Sequence, residues 1–207
     1  MKGHIFFISG PSGVGKTTIM NAIRKDMPFI KHIISVKTRP LRPNEVDGVD
    51  IHSYTKEQFE AVKDDNNTFL EWAMYNNDYY GTLKKDVLDG LDNGTIMLKE
   101  IEVQGMEAIH RENRLPRNAY TMIFLYPAES NYKDTFIERL MKIDERGVVD
   151  SDEIERRKAF MENEFACAEW YDIWIYSEYG KIQKAIDDTK DAINAVLERM
   201  NNNDNEI

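Results

Sequence analysis

Apolar residues recur along this chain with two different periods, and the two periods alternate. Short apolar runs bounded by turn residues predict buried strands at 4–9, 33–36, 95–103, 120–126 and 172–176. Apolar residues at helical spacing predict helices at 18–27, 56–64, 83–91, 104–112, 131–142, 151–170 and 180–200. Strands that alternate with helices are typical of a parallel sheet with helices on both faces, so the predicted fold class is α/β.

Two segments interrupt this alternation. Residues 35–92 are rich in tyrosine, aspartate and turn residues, and residues 131–157 are densely charged around a turn at Gly147. Both look like flaps attached to a core. We therefore predict one domain over 1–207, with a core at about 1–34, 93–130 and 158–200, a flap at about 35–92, a lid at about 131–157 and a frayed tail at 201–207.

Charge and cysteine content narrow the class of protein. The 37 acidic and 27 basic side chains give a net charge of −10, which disfavours nucleic acid as a partner. No apolar run has the length of a membrane span, and nothing resembles a signal peptide. The single cysteine, Cys167, excludes an internal disulfide, and its apolar neighbours favour a packed thiol over a reactive one. These features predict a cytoplasmic protein.

The first predicted strand leads directly into a glycine-rich phosphate loop. Residues 10–17 read GPSGVGKT, which matches G-x-x-x-x-G-K-[ST] between a strand and a helix. Such a loop points backbone N–H groups at phosphate oxygens, and the helix N-terminus adds partial positive charge. Lys16 can reach the β- and γ-phosphates, and Thr17 can offer its hydroxyl to Mg²⁺. The candidate ATP-binding residues are Gly10, Pro11, Ser12, Gly13, Val14, Gly15, Lys16, Thr17 and Thr18.

A second cationic feature follows the strand predicted at 33–36. Arg39 and Arg42 lie three residues apart, and Pro40 and Pro43 stiffen the chain between and after them. Guanidinium forks suit phosphate oxygens, and a stiff backbone lowers the entropy cost of holding them. The alternative is an ordinary surface loop with salt bridges. Beside a phosphate loop, the arginine pair favours a second phosphate site.

With these motifs the chain resembles the guanylate kinase family from residue 5 to about 195. The resemblance is carried by the phosphate loop and four further segments in the order of that family: 35–50, Phe69-Leu70-Glu71-Trp72-Ala73, Asp78-Tyr79-Tyr80-Gly81-Thr82 and Glu100-Ile101-Glu102-Val103-Gln104-Gly105. It implies a core like that of P-loop NTPases, with an inserted flap that binds the nucleoside monophosphate and a helical lid.

The resemblance also implies roles for individual residues of the flap. Arg39, Arg42 and Tyr80 match positions that hold the phosphate of GMP, and Ser35, Glu71 and Thr82 match positions that contact guanine. A carboxylate suits the guanine edge, since it can accept from both N1–H and N2–H₂. From the sequence without the resemblance, Glu71 is predicted to be a solvated strand residue, and Tyr79 and Tyr80 are predicted to be packing aromatics.

Charged residues elsewhere complete the expected site. Glu100 and Glu102 alternate at the end of the strand predicted at 95–103, so both lie on one face and can hold Mg²⁺ or orient GMP. The alternative is an exposed pair at a strand end. In the predicted lid, the resemblance places Arg139, Arg146 and Arg157 (beside Arg156) on the migrating phosphoryl group, although any of these can be a surface arginine. The predicted metal ligands are Thr17 and Glu102.

The chain departs from the family pattern at several places, among them Glu102, which stands where an aspartate is common, and two further positions. Ile51 stands where the family has a tyrosine on the acceptor phosphate, and His52 or Tyr54 can replace it only if the strand shifts or bulges. Ser177-Glu178-Tyr179 replaces an Asn-Asp-Asp segment, which weakens inference about contacts to adenine.

The expected activity is phosphorylation of GMP, and of dGMP, by ATP with Mg²⁺ through direct in-line transfer. The expected catalytic residues are Lys16, Arg39, Arg146 and Arg157, and the expected partners are these small molecules, with the protein a monomer or homodimer. One alternative is a kinase of the same fold that acts on another nucleotide or a ribose phosphate. Another is a non-catalytic interaction module, which the intact phosphate loop disfavours.

Overall fold

The computed structural model describes residues 2–11, 13–75, 77–128 and 168–204. The strands are β1 (His4–Ser9), β2 (Lys31–His32), β3 (Ser35–Lys37), β4 (Ile51–Ser53), β5 (Phe69–Tyr75), β6 (Asp78–Leu83), β7 (Ile96–Glu100), β8 (Tyr120–Pro127) and β9 (Ile173–Ser177). The helices are α1 (Lys16–Asp26), α2 (Lys56–Glu60), α3 (Lys84–Asp92), α4 (Val103–Arg111) and α5 (Ile182–Asp204). None of the helices among these residues is long and apolar enough to cross a membrane.

The described strands form two sheets. One has the order β2-β7-β1-β8-β9, and the other has the order β4-β3-β6-β5. In the first sheet, β2 pairs with β7 and β8 pairs with β9, and both pairs are parallel. Every residue of β1 is buried, as expected for a parallel strand covered on both faces. The α/β fold class predicted from the sequence is therefore confirmed.

The chain divides into two compact units, and the boundary passes through β1. Of the described residues, those within 8–28, 121–128 and 168–204 belong to the first unit, and those within 2–7 and 29–120 belong to the second. In the first unit, α5 packs against α1 and β9. The ammonium of Lys190 on α5 lies 2.5 Å from the carboxylate of Asp26 at the end of α1, which joins the two helices at their surface.

The second unit contains an aromatic core on one face of the four-stranded sheet. The rings of Phe59 and Phe69 stack with centroids 4.5 Å apart, and Tyr79 stacks on Phe59 at 4.8 Å. Val36 completes this cluster. Thr55 caps α2 through a capping box with Gln58, which holds Phe59 over the sheet. The opposite face of the sheet carries the polar residues of the candidate site.

Two predicted strands differ from the observed ones. The apolar run 33–36 was expected to form one strand, but the chain leaves β2 in one sheet and enters β3 in the other. Ile33 and Val36, at the two ends of the run, are both buried although the chain crosses between sheets there. The strand expected at 95–103 ends at Glu100, because Glu102 already accepts the first helical hydrogen bond of α4 from Met106 N–H at 3.0 Å.

Three helical predictions concern other parts of the chain. The helix expected at 56–64 ends at Glu60, and turns follow it. The helix expected at 131–142, most of the one at 151–170 and the packed thiol of Cys167 lie outside the described residues. At the end of that last segment, Ala168–Trp170 is a 3₁₀ turn and not part of an α-helix.

Candidate active site

The phosphate loop lies between β1 and α1 in the first unit. Gly15 is the N-cap of α1 with φ 104°, a conformation that only glycine adopts readily. A Cβ on Gly15 would also lie 2.6 Å from Cδ1 of Ile182. No side chain caps α1, and its first turn carries no acidic residue. The N-terminus of α1 is therefore suited to an anionic ligand.

Lys16 folds back over the start of this loop. Its Nζ donates to the carbonyl of Gly10 at 2.6 Å and to that of Pro11 at 3.3 Å. An ammonium has three hydrogens, so these bonds position the charge and leave a donor for a phosphate oxygen. Thr17 and Thr18 are exposed on the first turn of α1. Ser12, also predicted to bind ATP, lies outside the described residues.

Ser177 stabilises the loop from the end of β9. Its hydroxyl donates to the carbonyl of Val14 at 2.7 Å, and both residues are buried. This serine belongs to the segment that departs from the family pattern. Its contact with the loop was not predicted, because 163 residues separate the two partners in the sequence.

In the second unit, successive side chains of β6 point to opposite faces of the sheet, one toward the aromatic core and the other toward the candidate site. Tyr79 faces the aromatic core, and its hydroxyl donates to Glu60 at 3.0 Å. Tyr80 and Thr82 lie on the two sides of Gly81 in the same strand and share the opposite face, about 7 Å apart along β6. Tyr79 is thus a packing aromatic, whereas Tyr80 lies on the polar face.

A β-bulge turns Glu71 toward this polar face. Phe69 pairs with Leu83 and Glu71 pairs with Thr82, so Leu70 is an extra residue on β5. The bulge allows Phe69 to enter the aromatic core while Glu71 faces Thr82. The carbonyl of the extra residue, Leu70, accepts a hydrogen bond from Nη1 of Arg114 at 2.7 Å.

Glu71 is buried at 6% exposure and is not solvated. Its Oε1 accepts the hydroxyl proton of Thr82, which is also buried. Gly105 makes room for the carboxylate, because a Cβ there would lie 2.3 Å from Oε2. Burial raises the pKa of Glu71, while the hydroxyl of Thr82 and the ammonium of Lys99 oppose that rise.

Lys99 is a site residue that the sequence reasoning missed. It lies on β7 at 2% exposure, and its Nζ donates to Oγ of Ser35 at 2.5 Å. Burial lowers the pKa of Lys99 to about 8, and the carboxylate of Glu71 limits the fall. The one available signal was a lysine directly after the apolar run Ile96-Met97-Leu98.

Arg39 is held in place by Glu45. Its Nη2 lies 2.5 Å from Oε1 of Glu45 and its Nη1 lies 2.7 Å from Oε2, and Nη1 also donates to the carbonyl of Pro40 at 2.8 Å. The pair holds the pKa of Glu45 at about 2. The phenol of Tyr80 lies near Arg39: burial raises the pKa of Tyr80, and the guanidinium opposes the rise. Arg42 is exposed, and its backbone N–H donates to Glu45 at 2.9 Å.

The predicted pairing of Glu100 with Glu102 on one strand face is wrong. Glu100 is the last residue of β7 and is half-buried, whereas Glu102 is exposed as the N-cap of α4. The strand ends between them, so strand alternation does not apply to Glu102. Across the ranges that the structure covers, no three His, Cys, Asp or Glu residues form a group able to hold a metal ion.

Ile51 keeps a regular position in the sheet. It is 1% exposed, and β4 pairs with β3 in register from Ser35↔Ile51 to Lys37↔Ser53. The shift that would let another residue take its place therefore does not occur. Nε2 of His52 lies 3.7 Å from Asp86, and Tyr54 packs against the aromatic core. Arg139, Arg146, Arg156 and Arg157 lie outside the described residues.

Comparison with known proteins identifies the family. The family model described as guanylate kinase matches residues 2–196. Guanylate kinase of Onion yellows phytoplasma (strain OY-M) is 40% identical over 179 residues, 86% of this chain and 79% of its own length. Guanylate kinase of Oceanobacillus iheyensis is 36% identical over 192 residues, 93% and 87% of the two chains. The crystal structure of guanylate kinase from Anaplasma phagocytophilum shares the fold, with a TM-score of 0.68 at 22% identity over 94% of this chain and 86% of that one. On these matches, the chain belongs to the guanylate kinase family.

Proposed function

We propose that this protein transfers the γ-phosphoryl group of ATP to GMP, and also to dGMP. Membership of the guanylate kinase family supports this activity. The structural observation that carries the proposal is the buried carboxylate of Glu71, fixed by Thr82 on the same sheet face as Tyr80. A buried acceptor of this kind suits a base with adjacent N–H donors.

Guanine provides those donors at N1–H and N2–H₂, and Glu71 accepts from both. Adenine has no hydrogen on N1, so the carboxylate would remain buried without partners for its remaining lone pairs. Sites built to pair a polar group discriminate by roughly 10⁴-fold against ligands that leave the group unpaired. Selection of GMP over AMP follows from this mismatch.

The phosphate of GMP is bound by the cationic loop and the phenol beside it. Arg39 presents its guanidinium from a fixed orientation, because Glu45 and the carbonyl of Pro40 hold the nitrogens. Tyr80 supplies a hydroxyl next to this group, and the exposed Arg42 supplies a second positive charge. Since Ile51 has no hydroxyl, Tyr80 is the proposed phenol donor to the phosphate.

ATP is bound by the phosphate loop. The backbone N–H groups at the start of α1 and the ammonium of Lys16 bind its β- and γ-phosphates. The hydroxyl of Thr17, exposed on the first turn, is a hard oxygen ligand of the type that Mg²⁺ takes alongside nucleotide phosphates and water. Thr17 would hold Mg²⁺ there, and the ion would supply positive charge to the phosphate oxygens. Glu102 is a further candidate for orienting the ion through water.

The reaction is an in-line displacement. An oxygen of the GMP phosphate forms a bond to the γ-phosphorus as the bond from that phosphorus to the β–γ bridging oxygen breaks, giving GDP and ADP. The protein contributes position and positive charge, and no covalent intermediate or general base is required. Arg146 and Arg157 are proposed to neutralise the transferred group.

ADP release from ATP and Mg²⁺, measured across a panel of nucleoside monophosphates, tests the function. GMP and dGMP should exceed AMP, CMP and UMP by several orders of magnitude in kcat/KM. A best acceptor other than GMP would support the alternative kinase suggested by Ile51, and equal, negligible turnover of every acceptor would contradict kinase activity.

Lys16→Ala provides the matched test of the donor site. Removing the ammonium should lower kcat by about 10³-fold with GMP as acceptor, because its charge stabilises the transferring phosphoryl group. Circular dichroism should show an unchanged fold, since Lys16 is only partly buried. Lys25→Ala, at the far end of the same helix, should retain wild-type turnover.

A further inference from the structure

Lys99 is a buried cation without a role in the reaction described above. A lysine ammonium is almost never fully buried unless it is paired, because it loses hydration that the interior does not replace. Here the side chain is 2% exposed, and its hydrogen-bond partner is the neutral hydroxyl of Ser35. Its charge also acts on the buried carboxylate of Glu71. Both partners belong to the proposed guanine site.

The chemistry of the ammonium fixes the direction of its hydrogen bond. An ammonium only donates, so Oγ of Ser35 must accept from Lys99, and the hydroxyl proton of Ser35 must point to another acceptor. Thr82 differs from Ser35, because the hydroxyl of Thr82 already donates its proton to Glu71. Ser35 therefore acts as a hydrogen-bond donor toward a bound ligand, and Glu71 acts as an acceptor.

We propose that Lys99 is a positioning residue that sets the hydrogen-bond polarity of the base pocket, with Ser35 as donor to O6 and Glu71 as acceptor for N1–H and N2–H₂. This inference rests on the proposed function, since it assumes that the base bound here is guanine. A 6-oxo-2-aminopurine has its acceptor and its two donors on adjacent atoms of one edge. Lys99 would thus determine which arrangement of donors and acceptors the pocket accepts on the edge of the base, without contacting the base itself.

Lys99→Met tests the proposal, because methionine keeps the length of the side chain and removes the charge and the donors. The informative acceptors are GMP and 6-thio-GMP, which keeps N1–H and the 2-amino group but replaces O6 with sulfur, a weak acceptor. The wild-type protein should prefer GMP by about 5- to 10-fold in kcat/KM, the range of one neutral hydrogen bond. In Lys99→Met the preference should fall to within about twofold.

The same variant should raise KM for GMP about tenfold with kcat nearly unchanged, since the lost contacts are to the base and not to the transferred group. Ser35→Ala should give the same loss of preference, and the double variant should lose no more than either single one. Lys85→Met, the same replacement at an exposed lysine paired with Asp89, should keep the wild-type preference.

An unchanged ratio of GMP to 6-thio-GMP in Lys99→Met would overturn the inference and leave Lys99 a structural residue. Should Lys99→Met not fold, a wild-type ratio in Ser35→Ala would overturn it equally. Failure of the proposed function is distinguishable, because the wild-type protein would then not favour GMP over the other monophosphates.

Discussion

The carboxylate of Glu45 accepts from both terminal nitrogens of Arg39 and from the backbone N–H of Arg42. This arrangement orders a loop that would otherwise depend on two prolines for its shape. The conformational entropy of the Arg39 side chain is therefore lost during folding, and binding of the acceptor phosphate does not have to order it. The same contact makes the stability of the loop dependent on pH.

We predict that Glu45→Gln removes an acid-sensitive part of the unfolding free energy. Pairing with Arg39 lowers the pKa of Glu45 from its ordinary value of 4.5 to about 2 in the folded protein. The stabilisation is therefore fully present above pH 4.5 and disappears as the pH falls through 2. Denaturant unfolding should give a wild-type advantage of about 2 kcal/mol at pH 6 that shrinks at pH 3. An advantage independent of pH would contradict the assignment.

Site residues that belong to a local motif could be predicted from the sequence, whereas those defined by distant contacts could not. The phosphate loop is a local pattern, so its residues were predictable from their neighbours in the chain. Lys99 and Arg114 lie 64 and 44 residues from the partners that give them their roles. No periodicity or short motif reports such distant pairs, and both residues were missed.

At the level of elements, the bulge in β5 determines which side chains meet. One extra residue between Phe69 and Glu71 places the first in the aromatic core and the second against Thr82. Bulges commonly re-aim a side chain next to a functional site. Period alone predicted strands at β1, β3, β7, β8 and β9 but none at β4, β5 or β6. The bulge, the passage between sheets at 33–36 and the end of β7 depend on partner strands.

We predict that Arg114→Met weakens the binding of GMP through this bulge. The carbonyl of Leu70 loses its partner, which should destabilise the protein by about 1 to 3 kcal/mol. Glu71 should then be held less firmly, so KM for GMP rises while kcat changes little. Arg111→Met, an exposed arginine of α4 paired with Glu107, is the matched control and should change neither quantity appreciably. Wild-type KM in Arg114→Met would contradict a role for the bulge.

At the scale of the whole molecule, the two units carry different chemistry. The first contains the phosphate loop with Lys16, and the second contains the residues proposed to bind GMP. A ligand that binds only the folded state raises the unfolding free energy according to its concentration and affinity. Binding of the acceptor can therefore be measured apart from turnover.

We predict that GMP at 100 times its Kd stabilises the protein by about 2.7 kcal/mol, whereas AMP at the same concentration has little effect. Thermal or chemical unfolding with each nucleotide measures the difference. Lys16→Ala should keep the stabilisation by GMP, and Glu71→Gln, which places an amide N–H₂ against the guanine donors, should lose it. Equal stabilisation by AMP would contradict the role given to Glu71.

The alternation of β6 has a consequence for how this protein tolerates sequence variation. Tyr79, Gly81 and Leu83 lie toward the aromatic core, and Tyr80 and Thr82 lie on the opposite face. In a deep mutational scan, variants at the three odd-numbered positions should reduce cellular abundance. Variants at Tyr80, and replacements at Thr82 that keep its volume, should remain abundant but fail to support growth. Five consecutive residues of one strand would then show the two phenotypes in alternation.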